Sequence, residues 1–409
     1  MEVILKRCCG LDVHKKTIAA CRRILGPNGE LKQEIRTFGT MTVDILALAD
    51  WLKEGQVTHV AMESTGVFWK PIWNLLEDEF EILLVNARHI KQLPGRKTDI
   101  KDCEWIAQLL QHGLLRASFV PPKPIRAMRD LTRHRAKLAS EKTAVVNRIH
   151  KTLEDANIKL GSVASDIVGV SGLSMLKAMA AGEDDPVALA ERARRRLRGK
   201  IPDLQRALHG RMTEHHRFLL ENLLRHLDFL ETQIHSFEQR IEEVCRPFEK
   251  AVLLLETIPG VSRTTAHSMI AEIGTDMSVF PTADHLASWA GVCPGNNESA
   301  GKHKSSKTPK ANRWLRRTLG EAAWAAARTK KTYLSAQYRR LASRRGKKRA
   351  IVAVGHTILI IAFYLLRDST SYSELGADYF DRINPERLKN YFVKRLEQLG
   401  HKVVLEKVA

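Results

Sequence analysis

The sequence predicts an α/β domain followed by a mainly helical remainder, α/β plus all-α, on three observations. Residues 2–112 alternate short period-two runs with helical periods. From Ile125 onward strand patterns vanish and long helical stretches take over. At 409 residues the chain exceeds one ordinary compact domain, so two or three are expected, with length enough to bury real cores.

In chain order, residues 2–38 read as three strands, VILKRCCGLDV, TIAACRRIL and LKQEIRTF, the last two joined through Pro27-Asn28-Gly29, a hairpin signal. A helix over 42–53, a strand THVAMEST, a helix near 71–78, a strand EILLVNA and a helix over about 98–112 follow. The order βββαβαβα is, by analogy, that of a ribonuclease-H-like fold. Residues 161–212 read as irregular, a helical insertion or arm holding the basic run RARRRLR at 192–198. Leu220, Leu223, Leu227, Leu230, Ile234, Phe237, Ile241 and Val244 then keep a heptad spacing, which predicts central coiled-coil helices or a helical hairpin, facing a partner chain or the chain's own core. LLLETIPGVSRTTAHSMIAEIG reads as helix, Pro-Gly turn and second helix. Such a turn either holds a phosphate on its amides or simply packs two helices. Val292–Pro309 is a loop rich in Gly, Ser, Lys and Asn, and Arg313 begins another helix. The resulting domains are 1–155, 156–249 with the linker and coiled coil, 250–345, and a helical extension over 346–409.

Charge narrows the partners. The 66 Lys and Arg against 46 acids give a formal +20, and residues 301–350 hold 17 of those cations against Glu321 alone. Nucleic acid is the partner such an excess fits. Six cysteines with no C-x-x-C pair exclude a disulfide-stapled secreted domain and fit a reduced, cytoplasmic chain. The charged N-terminus lacks a signal peptide's apolar run, and AIVAVGHTILIIAFYLL at 350–366 reads as a buried helix, so no membrane is expected.

Four acids carry the candidate chemistry. Asp12 in GLDVHK and Glu63 in AMEST fall near the ends of two strands that neighbour each other in a ribonuclease-H-like order. Asp99 and Asp102 in GRKTDIKDCEWIA are spaced i, i+3, on one face at a helix start. Each alone reads as a solvated side chain or a helix cap; together they form a carboxylate cage suited to Mg²⁺, and two such ions can assist in-line displacement at a phosphodiester. Glu104 should face away. A serine in a Gly/Lys-rich loop, Ser299 in NESAGK, reads from residues alone as either a phosphate contact or a nucleophile, with Lys302 and Lys304 near it and Ser262, Ser305 and Ser306 as rivals. Trp314 and Trp324 stand among basic residues, where helical spacing favours core packing over base stacking.

GLDVHKKT, AMESTGVFW and GRKTDIKDCEWIAQLL resemble the N-terminal DEDD domain, often described as RuvC-like, of the insertion-sequence one-ten family of transposases. IPGVSRTTAHSMIAEIG, LASWAGVCPGNNESAGK and ANRWLRRTLGEAAWAA resemble that family's second domain, in the family's order. The resemblance implies a recombinase that moves a circular DNA element, guided by a bridge RNA pairing with donor and target DNA. It implies a Mg²⁺ site, with two ions, at Asp12, Glu63, Asp99 and Asp102, and a serine-DNA covalent link through Ser299. Acids and serine are then supplied by different subunits of a homo-oligomer, dimer or tetramer, with the 220–244 seam as a dimer element. The guide RNA would need basic surface on the first domain, for which His14, Lys15, Lys16, Arg88, Lys91, Arg96 and Lys97 are available. Two rival readings are a two-metal nuclease or junction resolvase with water as nucleophile, and a non-enzymatic scaffold held to nucleic acid by charge.

Overall fold

A computed structural model describes residues 2–64, 66–87, 90, 102–295, 297–305, 307–309, 311–383 and 385–406. The chain is mixed α/β and divides into two compact units, 1–120 and 121–409.

The first unit contains β1 (Arg7–Val13), β2 (Thr17–Leu25), β3 (Leu31–Gly39), α1 (Thr42–Glu54), β4 (His59–Glu63), α2 (Trp69–Leu76), β5 (Glu81–Val85) and α3 (Asp102–Gln111). Its sheet has the order β3-β2-β1-β4-β5, antiparallel from β3 to β1 and parallel from β1 to β5. The element order read from periodicity is thus the one observed, except that the stretch 91–101, including the start expected for the last helix, lies outside the described residues. Strand alternation divides the apolar residues between two faces. Cys9, Leu11, Val60, Met62 and Leu84 pack with Ile45, Leu48 and Leu52 of α1 and Ile72 and Leu76 of α2. Cys8, Ala61 and Val85 meet Ile106, Leu109 and Leu110 of α3 on the other face. That second contact requires Gly10, because a Cβ there would lie 2.3 Å from the Ala107 backbone nitrogen and 2.4 Å from the Cys103 carbonyl oxygen. The glycine lets α3 lie directly on β1.

The second unit is built on two long helices, α4 (Lys123–Asp155) and, after several shorter ones, α9 (Glu214–Cys245). They run antiparallel in one register. Met128 meets Cys245 at 3.5 Å, Arg135 meets Glu238 at 2.9 Å, Lys142 meets Glu231 at 2.7 Å and Asp155 meets His216 at 2.9 Å. Leu220, Leu227 and Leu230 of the heptad seam are buried with Val145, Ile149 and Leu153 of α4, so the seam packs inside its own chain. Each such leucine contributes about 1.5–3 kcal/mol, against at most about 1 kcal/mol for an exposed ion pair, so the apolar seam rather than the flanking charges holds the pair.

The segment read as irregular is largely helical. It supplies α5 (Leu160–Val163), α6 (Val170–Ala180), α7 (Pro186–Ala190) and α8 (Ile201–Leu208), whose Leu160, Met175, Leu176, Leu189 and Leu204 share the α4/α9 core. Its helices are short and punctuated by Gly169, Gly182, Pro186 and Pro202, which hid the helical period.

After α9 come α10 (Glu249–Glu256), α11 (Arg263–Ile273), α12 (Ala283–Ala290), the hairpin strands β6 (Asn297–Ser299) and β7 (Lys302–Ser305), α13 (Arg313–Arg328), α14 (Tyr333–Arg345), α15 (Lys347–Asp368), α16 (Tyr379–Ile383) and α17 (Pro385–Gln398). By length and composition α15 alone among the described residues could cross a membrane, yet Ile351, Val354, Ile358, Leu359 and Phe363 are buried and the helix packs on α13 and α14.

Candidate active site

In the first unit, sheet register brings two of the expected acids together. β1 and β4 pair in parallel through Leu11 and Met62, and the next residue on each strand is Asp12 and Glu63. Neighbouring parallel strands lie about 4.8 Å apart and register partners point to one face. That face is the one α3 covers, because Asp12 and Glu63 alternate with Leu11 and Met62, which point to the opposite core. Asp102 is exposed at the start of α3, next to Cys103, whose thiol is pushed up by burial first and by the charges of Glu104 and Asp12 as well. The close approach of the Cys103 carbonyl to Gly10, two residues before Asp12, puts the helix start beside the end of β1. Asp99 lies outside the described residues, and among the described residues no three His, Cys, Asp or Glu converge as metal ligands. What the structure assembles is therefore a register pair plus a neighbouring helix start, all with hard oxygen donors of the kind Mg²⁺ takes. Glu104 is half-buried, and the Cys21 thiol on β2 is pushed up to about 12 by burial first, with neighbouring Cys103 and the Glu104 charge adding.

One neighbour of this site was missed as chemistry. His14 Nε2 lies 3.1 Å from Asp12 Oδ2, reaching back two residues along the strand end. The spacing Asp-x-His in an extended strand was the available signal, since i and i+2 share a face; the basic HKK run drew His14 toward a charge reading instead.

In the second unit, the loop expected over 292–309 contains a two-residue hairpin. Ser299 pairs with Lys302, and Ala300 and Gly301 form the turn with φ of 51° and 72°. Two positive φ values define a type I′ turn, whose twist matches that of the flanking strands. Gly301 adopts its value freely, whereas Ala300 pays for it, and strained turns of this kind cluster at functional sites. Ser299 is thus the last strand residue before the turn, next to exposed Lys302. Two rival serines have local work. Ser262 caps α11 by accepting from Thr265 N at 3.4 Å, and Ser305 accepts from Lys307 N at 3.1 Å. Ser306 lies outside the described residues.

The Pro-Gly turn at 259–260 is a packing device. Gly260 has a φ of 89°, and a Cβ on it would lie 2.4 Å from the Ala326 backbone nitrogen of α13. The adjoining start of α11 is capped by Ser262, and Arg263 is ringed by Glu242, by Glu249 at 2.7 Å and by Glu256 at 3.3 Å. Three carboxylates at a helix start repel a phosphate, so of the two readings of this turn the geometry supports helix packing.

Beneath the hairpin's helix lies a buried ion network. Glu272, 2% exposed, takes both guanidinium arms of Arg133 at 2.7 and 2.8 Å and the Asn312 amide at 2.6 Å. Asn312 in turn caps α13 by accepting from Trp314 N at 3.1 Å. Trp314 lies under Arg313 and Arg133, with guanidinium carbons 4.9 and 5.8 Å from its ring, while Trp324 is 42% exposed beside Tyr338, which differs from the core position expected for it.

Register-paired carboxylates in one unit and a strongly basic helical unit in the other define a chain suited to phosphate chemistry. A family model of the IS110 DEDD domain, described as Transposase, matches residues 9–158, and a second, described as Transposase IS116/IS110/IS902 family, matches residues 252–339, together more than half of the chain. The chain belongs to this transposase family. It is 25% identical over 272 residues to the "Insertion element IS116 uncharacterized 44.8 kDa protein" of Streptomyces clavuligerus, covering 57% of this chain and 66% of that protein. It is 28% identical over 145 residues to the "Insertion element IS110 uncharacterized 43.6 kDa protein" of Streptomyces coelicolor, covering 34% and 36% of the two chains. The matches thus span just under two thirds of the first relative and about a third of the second.

Proposed function

We propose that the protein is a DNA transposase that cleaves and rejoins DNA through a serine-DNA intermediate at Ser299, with Asp12, Glu63, Asp99 and Asp102 holding Mg²⁺. The observation that carries the reading is the coincidence of the family's two blocks, in order, with a register pair of carboxylates in the first and a serine at a strained hairpin turn in the second. When bound, the metal ions would supply charge stabilisation to the oxygens exchanging at phosphorus.

The protein's own residues do the rest. Ser299 Oγ bonds to phosphorus as the bond from phosphorus to one deoxyribose oxygen breaks; the serine proton is lost and the displaced oxygen gains one. The phosphodiester energy is kept in the serine ester, so rejoining to a second DNA end needs no nucleotide cofactor. Lys302, across the hairpin from Ser299, is available to hold the phosphate. A ribonuclease-H-like first domain is supported by the β3-β2-β1-β4-β5 order. A bridge RNA as guide, and a composite site shared between protomers, follow from the family resemblance and belong to the same proposal.

The test is incubation of the protein, purified with its neighbouring non-coding RNA, with donor and target DNA and Mg²⁺, followed by denaturing gels. The wild type should give a protein-linked DNA band that Ser299→Ala and Asp102→Ala both lose. Cleavage that persists in Ser299→Ala with free ends would instead make this a two-metal nuclease using water.

A further inference from the structure

We propose that the surface formed by Arg192–Lys200 and helix α8 is a second, sequence-independent seat for the phosphate backbone of duplex DNA. This surface lies between the two family-matched segments, in a stretch neither model covers. It requires that the chain work on DNA but not that Ser299 be the nucleophile.

Four observations carry it. Residues 192–211 hold seven arginines and one lysine against a single acid, Asp203. Arg192, Arg194, Arg195, Arg196, Arg206 and Arg211 are exposed and, among the described residues, make no ion pair, whereas Arg198 meets Glu191 at 3.3 Å. The charges therefore remain available. They also stand on a rigid base: Leu189, Ala190, Ala193, Leu204 and Leu208 are buried in the α4/α9 core, and the loop is pinned where Arg194 N donates to Ser171 Oγ at 2.9 Å and Lys200 Nζ to the Val163 carbonyl at 3.3 Å. Arg195 holds a φ of 53°, a left-handed conformation that redirects the chain from the extended Arg194 into a 3-10 helix over Arg195–Lys200. Finally, Lys159, Lys200 and Arg206 line one open groove of about 400 Å³ with the Ser162 hydroxyl and the Asp203 carboxylate, and because Lys159 also pairs with Glu154 the groove's net positive charge comes from Lys200 and Arg206.

The partner's form follows from what the surface lacks. No Phe, Tyr or Trp occurs between residues 186 and 211, so there is no platform on which unpaired bases could stack. Arginines without aromatic partners track a backbone and leave sequence unread. Duplex DNA is the phosphate array this class of protein meets, and a fixed seat away from the chemistry would hold the helix in register while the ends are exchanged.

The test uses the full-length protein and fluorescence anisotropy on a 40-bp duplex of arbitrary sequence across a salt series. Replacing Arg194, Arg195 and Arg196 together by alanine should weaken binding about 10- to 100-fold near 0.1 M salt and flatten the log–log salt slope by about 2 to 3. The triple lysine replacement should stay within about threefold of wild type, since backbone contact needs charge and not the guanidinium fork. Unchanged affinity and slope in the alanine triple would overturn the proposal. So would a lysine triple as weak as the alanine one, which would mark a structural role, or a loss seen only on an RNA hairpin of equal length, which would assign the surface to RNA. If the wild type forms no serine-linked DNA while the alanine triple still loses affinity, the Ser299 reading fails and this one stands.

Discussion

The carboxylate pair of the first unit and the serine hairpin of the second are fixed by opposite means. Asp12 and Glu63 stand at the ends of parallel strands in the middle of a five-stranded sheet, with α3 seated on Gly10, so hydrogen-bonded register and close packing place them. Ser299 ends a three-residue strand and owes its place to a two-residue turn holding an alanine in a left-handed conformation. Under the proposed function, acids that hold a metal ion would be suited by placement through register, and a serine that exchanges DNA ends by a short hairpin. The Glu272 network fixes the start of α13, the helix that follows the hairpin in the chain.

Four substitutions test this contrast, from the largest expected effect down. Glu272→Ala removes the buried carboxylate that serves half-buried Arg133 and Arg129 and frees Asn312, and should cost about 3 kcal/mol in chemical denaturation, the low end for a broken buried pair because both arginines keep some solvent. A smaller effect than Gly10→Ala would mean the network contributes little to holding the start of α13. Gly10→Ala forces α3 off β1 and should cost about 1–3 kcal/mol, with hydrogen exchange in α3 amides speeding up while α13 is untouched. Ala300→Gly removes the left-handed penalty and should stabilise the hairpin by about 1 kcal/mol, measured as slower exchange across the Ser299 and Lys302 pair; no change would argue that the turn carries no strain.

The smallest effect concerns pH. His267 is 5% exposed with Nε2 at 3.7 Å from Glu242, too far for a hydrogen bond, and burial holds its imidazole below the ordinary 6.5. Its folded form binds a proton less readily than its unfolded form, so stability falls as pH drops through 6.5 toward the lowered value. Thermal melts of wild type should lose more stability than those of His267→Gln between pH 7 and 5. Parallel pH curves for the two would remove His267 from the account.

Much of the first unit was legible because alternation in Cys8–Val13 and Val60–Glu63 is a local property: one residue in, one out, read directly from polarity. The Asp12–Glu63 juxtaposition followed once the order placed β1 beside β4. The hairpin at Ser299 was not legible, since Glu-Ser-Ala-Gly-Lys has no strand propensity and its pairing rests on two backbone conformations. Nor were the bounds of the helices within 161–212, read only as an irregular helical insertion or arm, where elements of four to eleven residues are too short to show a period and are held by burial against α4 and α9.

The sequence by itself determined the α/β-to-helical order, the placing of the acids at element ends, the basic runs and the family, because these depend on neighbours along the chain. Only the tertiary structure decided that the heptad seam closes on α4 of the same chain, that Gly260 is a packing contact, that Glu272 joins three helices and that, of the seven arginines in 192–211, Arg198 alone makes an ion pair among the described residues. Each of those is a matter of which partner is present at a few ångströms, and contacts between residues a hundred positions apart leave no periodic trace.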